Sequence, residues 1–141
     1  MAKPLTHQQI LALPLSQQGA AMAEYKLRAR QAELKAMAPA LLLLEAEHAA
    51  IKAAGCEIYA DSLSHAFREK LTLHVMASIF DGGARLHRAL LKAGFVISER
   101  DDSTHTATLH FKKGRLRLRM YMSLKDLARA EAPLAAQKEA A

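Results

Sequence analysis

The sequence predicts an α+β chain in which a long N-terminal helix precedes a module of helices and a three-stranded antiparallel sheet. Three observations carry this reading. Residues 20–54 repeat apolar side chains at nearly heptad spacing. Residues 95–122 alternate apolar and polar side chains in short runs, separated by turn residues at 101–104 and at Lys113-Gly114. Gly55, Gly82 and Gly94 punctuate the boundaries between these patterns. Together they divide the chain into a helical arm over 1–55, an α+β module over 56–132 and an alanine-rich, frayed tail over 133–141.

The first residues predict a short helix, because Thr6 and Gln9 have capping-box spacing and Leu5 and Ile10 can pack as a staple across the turn. Pro14 ends it, and Ser16 is positioned to cap the long helix that follows. Along that helix Leu27, Leu34, Leu41 and His48 recur every seventh position, with Ala23, Met37, Leu44 and Ile51 in the partner stripe, which Arg30 interrupts once. The register continues through Pro39, which falls opposite the stripe. One kinked helix is therefore expected in preference to an antiparallel pair broken at the proline. Gly55 closes it as a C-terminal cap. The stripe formed by Leu27, Leu34, Met37, Leu41, Leu44 and Ile51 can pack on the chain's own sheet or pair with a second copy as a coiled coil, giving a homodimer.

Residues 56–60, CEIYA, read as a short strand. The next stretch fits two periods. A helix capped by Ser62 or Ser64 would place Phe67, Leu71, Val75 and Ile79 on one face; a strand would alternate Leu71, Leu73, Val75, Ala77 and Ile79 with Thr72, His74 and Ser78. The terminating Asp81-Gly82-Gly83 favours the helix. Asp81 then caps a helix over 82–93, with Leu86, Ala89, Leu90 and Ala93 inward and Arg85, Arg88 and Lys92 outward. Strands are expected at 95–100, 105–112 and 115–122, the last two joined by a tight hairpin. Ser123 and Asp126 have capping-box spacing for a final helix, ended by Pro133.

With 51% hydrophobic residues in 141, the chain can bury a core of useful size. A formal charge of +6 favours acidic partners, either nucleic acid or an anionic protein surface. Aromatics at 5% argue against a stacking platform for single-stranded bases. The single cysteine, Cys56, excludes an internal disulfide and multi-cysteine metal sites, and suits a reducing compartment. No N-terminal run resembles a signal peptide, and the longest apolar run, residues 37–44, is too short to span a bilayer. A cytoplasmic protein without membrane association is expected.

The chemistry concentrates in residues 85–122. Arg115, Arg117 and Arg119 occupy alternate positions and so project from one strand face, opposite Leu116, Leu118 and Met120. Lys112 and Lys113 precede them, and no acidic residue lies between Asp102 and Asp126. A face that only promotes solubility usually mixes signs. These five residues, with Arg85, Arg88 and Lys92, are the candidate contacts to phosphates or to an acidic partner. The seven histidines show no metal-ligand spacing, and no P-loop, dinucleotide or serine-hydrolase motif occurs. No metal and no cofactor are predicted. His105 is the candidate general base, with Arg117 or Arg119 to stabilise developing phosphoryl charge.

The stretch LLKAGFVISERDDSTHTATLHF resembles the HicA-type toxins of toxin–antitoxin pairs. Leu90, Leu91, Ala93, Gly94 and Phe95 match that family's helix exit, and Ser103 and His105 approximate its turn, with Thr104 between them and Asp102 where the family has glycine. The resemblance covers about residues 82–131. It implies an αβββα fold similar to a double-stranded-RNA-binding domain, and a ribonuclease with His105 as catalytic residue. The same elements also fit a winged helix, with residues 84–93 as recognition helix and the hairpin as wing. The residues themselves favour non-catalytic nucleic-acid binding. A dimeric protein-interaction module and a toxin-like ribonuclease are the alternatives.

Overall fold

The structure, a computed structural model, describes residues 3–66 and 69–132. It is an α+β chain with two compact units, Met1–Ala36 and Met37–Ala141. A single helix, α2, runs Leu15–Ala53 through both and contains Pro39, which is exposed. The division falls inside this helix, between Ala36 and Met37. From Met37 onward its apolar side chains (Met37, Ala40, Leu44 and Ile51) are buried in the same core as the sheet. Burial, more than secondary structure, sets where a compact unit starts.

In the first unit, α1 (His7–Leu11) starts at Thr6 with both bonds of a capping box: Thr6 Oγ1 accepts from the Gln9 amide, and Gln9 Oε1 accepts from the Thr6 amide. Ile10 is buried, whereas Leu5 stays exposed; both line a small cavity with Ala21 and Tyr25. Ser16 does not cap α2, which begins one residue earlier, directly after Pro14. Gln18 instead closes the turn, donating its side-chain N–H groups to the carbonyls of Leu11 and Leu13.

The second unit holds a five-stranded mixed sheet rather than a three-stranded antiparallel one. Its strands are β1 (Leu63–His65), β2 (Thr72–Val75), β3 (Val96–Asp102), β4 (Thr106–Lys113) and β5 (Leu116–Ser123), in the order β1-β2-β5-β4-β3. Three of these lie where alternation predicts them. The other two come from the stretch read as a helix: β2 pairs parallel with β5, and β1 pairs antiparallel with β2. Period-2 alternation therefore prevails over residues 72–75, since Leu73 and Val75 extend the apolar layer that β5 begins with Leu118 and Met120. Phe67, assigned to the helical face, lies outside the described residues. Residues 56–59 form no strand and lead into a 3-10 turn at Ala60–Ser62.

Helix α2 ends in a Schellman motif, in which the Gly55 amide donates to Lys52 O and the Cys56 amide to Ile51 O. Helix α3 (Ala84–Lys92) is entered through Gly83, not capped by Asp81. Gly83 has φ 94, and a Cβ there would lie 3.0 Å from both Ala77 Cβ and Met122 Cγ. Asp81 takes a left-handed conformation and accepts from the Arg129 guanidinium at 3.1 Å. Helix α4 (Leu124–Glu131) begins as expected, with Ser123 Oγ accepting from the Asp126 amide. Its predicted stop, Pro133, and the alanine-rich tail lie outside the described residues.

One sheet face is apolar: Leu73, Val75, Ala107, Leu109, Phe111, Leu116, Leu118, Met120 and Met122 share a core with α2, α3 and α4. His87 of α3 points into it, 2% exposed, with its ring edge-on to Phe111 at 5.4 Å. Neither ring nitrogen has a hydrogen-bond partner among the described residues. Burial holds the His87 imidazole below its ordinary pKa of 6.5, and burial with nearby Arg119 does the same for His74. As pH falls below about 6.5 the unfolded chain takes up protons that the folded chain refuses, so stability falls from there down towards the depressed folded values. Urea midpoints measured from pH 8 to pH 5 are expected to drop, and His87→Phe is expected to flatten that slope. An unchanged slope in the variant would remove His87 as its source.

Candidate nucleic-acid interface

The opposite sheet face carries the polar side chains that alternate with this core. Register sets them in rows, because directly paired residues share a face. Thr72, Arg117 and Lys112 form one row; His74, Arg119, His110 and Glu99 form the next. Tyr121, Thr108 and Asp101 form a third. Lys112 and Tyr121 are exposed, whereas Arg117 and Arg119 are half-buried by their neighbours. At the hairpin end a groove is lined by Glu69, Lys70, Thr72, Lys112, Arg115 and Arg117. Arg115 reaches it from the two-residue turn Gly114-Arg115, not from the strand itself.

Electrostatics follow this layout. Lys70, Lys112, Arg115, Arg117 and Arg119 form no ion pair among the described residues. The Arg119 Nε and the His110 Nδ1 are buried without a hydrogen-bond partner there, the latter 3.6 Å from Glu99 Oε2. Of the acidic side chains here, Glu99 and Asp101 come from β3 and border the cations on one side, while Glu69 lines the hairpin-end groove beside Lys70. Edge strand β3 is exposed throughout, and its charges suit an unpaired edge. Arg100 there donates to Asp102 at 2.8 Å, which holds that carboxyl below its ordinary pKa.

The other predicted contacts lie elsewhere. Lys113 has the opposite parity to Lys112 and points to the core side. There its Nζ donates to Glu47 Oε2 at 2.6 Å and to Ala93 O at 2.7 Å. It ties α2 to the end of α3. Arg85, Arg88 and Lys92 line a separate groove with Ala54, Gly55, Leu91, Ala130 and Ala132, on the helix layer. The basic sheet face and the basic helix stripe thus lie on opposite sides of the sheet. His105 is exposed in the β3–β4 turn. Arg119 pairs directly with His110, which lies five residues from His105, or about 16 Å along a strand. His105 is not brought together with Arg117 or Arg119.

Of the heptad stripe, Met37, Leu44 and Ile51 are buried in the chain's own core and Leu41 packs against it. Leu34 is half-buried and Leu27 is 58% exposed. Cys56 is buried, and that burial raises its thiol pKa, so it stays protonated.

Sequence reasoning missed Lys70, His74, His110 and Tyr121. His110 and Tyr121 continue the alternations of Lys112 and Arg119, a signal that was available. Lys70 and His74 depended on reading residues 72–75 as a strand. Among the described residues no helix is long and apolar enough to cross a membrane, and no group of three His, Cys, Asp or Glu side chains could hold a metal ion. Comparison with protein-family models, curated proteins and solved structures finds no match for this chain.

Proposed function

We propose that this protein binds nucleic acid without acting on it, holding phosphate oxygens through Lys70, Lys112, Arg115, Arg117 and Arg119. The observation that carries this reading is the convergence of these five cations on one open face, with no carboxylate paired to them among the described residues. Guanidinium groups offer phosphate two parallel N–H donors, and the lysines add point charge. Such contacts position a polynucleotide without reading its sequence.

Electrophoretic shifts with DNA and RNA, single-stranded and duplex, across a salt series test this. Binding that weakens steeply with salt is the expected result, because each neutralised phosphate releases counterions. No shift with any polynucleotide at low salt would end the proposal.

A second reading is supported by the groove beside α3, where Arg85, Arg88 and Lys92 surround an apolar floor of Ala54, Leu91 and Ala130. Charge over apolar surface suits an acidic protein partner. For a homodimer, the side chains left outside the described core are Leu27 and the half-buried Leu34. Sedimentation of the free chain as a monomer would remove that dimeric form.

A further inference from the structure

Tyr121 is 51% exposed on β5, the middle strand of the five. The His74 ring lies 4.8 Å from it, tilted by 51°. This pair begins where the cations end: one step of two residues along β5, about 6.6 Å, separates Tyr121 from Arg119, and a second separates Arg119 from Arg117. Beyond them lies the groove with Lys70, Lys112 and Arg115. On the β3 side Glu99 and Asp101 repel phosphate, and Glu69 lines the groove beside Lys70, so the favourable path follows β5 and not β3.

We infer that this face prefers single-stranded over duplex nucleic acid, with Tyr121, braced by His74, stacking on an unpaired base while Arg119 and Arg117 hold the phosphates that follow. The inference rests on the nucleic-acid reading proposed above. The physical reason is access. In a duplex the base faces are stacked on one another, and only phosphates and groove edges meet a flat sheet. A single strand can turn a base onto the ring and keep its backbone over the cations. Arg119 is half-buried in this row and forms no ion pair among the described residues, so its guanidinium is not already committed to a carboxylate. Low aromatic content does not prevent this, because the fold brings together two rings that are 47 positions apart in sequence.

Matched ribo- and deoxyribo-oligonucleotides, as unstructured single strands and as duplexes, test it at one ionic strength. Single strands are expected to bind about tenfold more tightly, and Tyr121→Ala to weaken them by about 5- to 100-fold while leaving duplex binding unchanged. Tyr121→Phe should retain the preference, since stacking needs the ring and not the hydroxyl. The chain contains no tryptophan, so tyrosine emission in a Tyr25→Phe, Tyr59→Phe background reports on Tyr121 alone. Quenching by single strands is expected. Because Tyr121 is exposed, its replacement leaves the core intact, and an unchanged melting temperature verifies this. Equal affinity for duplex and single strand, or a Tyr121→Ala variant that binds single strands normally, would overturn the inference. The proposed function would survive that result if binding remained salt-dependent. Failure of every polynucleotide to bind would sink both.

Discussion

A chain carrying Lys112→Glu, Arg115→Glu and Arg117→Glu is expected to lose nucleic-acid affinity by on the order of a hundredfold or more at low salt. Each lost phosphate contact should also reduce the slope of log affinity against log salt by about 0.7 to 0.9. The expectation follows from geometry, because all three side chains line the groove at the hairpin end, with Glu69 in the same groove, and none of the three forms an ion pair among the described residues. Reversal removes attraction and adds repulsion. The matching control is Arg85→Glu, Arg88→Glu and Lys92→Glu, which changes the net charge by the same amount on the opposite side of the sheet. If net charge alone drove association, the two triple variants would weaken it equally. Equal losses would therefore count against the sheet face as the site. Lys112 and Arg115 are exposed and Arg117 only half-buried, so folding should be retained. Circular dichroism melting verifies that before any affinity is interpreted.

The largest expected loss of stability is at Phe111. Its side chain is fully buried, pairs across the sheet with Leu118 and Ile97, and meets the His87 ring of α3 edge-on. Phe111→Ala deletes one of the contacts by which the helix layer rests on the sheet and leaves a cavity in the shared core. A cost of about 3–5 kcal/mol is expected, a large share of the roughly 5–15 kcal/mol that stabilises a typical domain. Urea unfolding of the variant should show a much lower midpoint at similar slope. A loss below about 1 kcal/mol would mean that α3 does not depend on Phe111 for its seat.

Both predictions concern the second unit, which sequence reading recovered unevenly. The capping box at Thr6, the N-cap at Ser123, the stop at Gly55, the helix over 84–92 and the three strands between 96 and 123 were all legible. Each depends on residues within a few positions of one another, and backbone conformation and capping are local. The continuity of α2 through Pro39 was legible for a related reason: a proline on the exposed side leaves the buried face of the helix uninterrupted.

What failed were contacts between distant segments. Residues 72–75 carry two compatible periods, and only a partner could choose between them. That partner is β5, more than 40 positions away, and a parallel pairing of this kind has no turn to announce it. The choice moved His74 beside Arg119 and Tyr121 and so created the ring pair. The heptad stripe likewise asks for an apolar partner without naming one, and the chain's own sheet supplied it from Met37 onward.

The amino-acid sequence by itself determined the α+β class, the positions of most elements and the excess of positive charge. Tertiary structure alone decided how that charge is divided. Side-chain parity and helix packing send Lys112, Arg115, Arg117 and Arg119 to one surface, Arg85, Arg88 and Lys92 to another, and Lys113 inward to Glu47. A surface is a property of residues brought together in space, and sequence spacing records only those that are already neighbours in the chain.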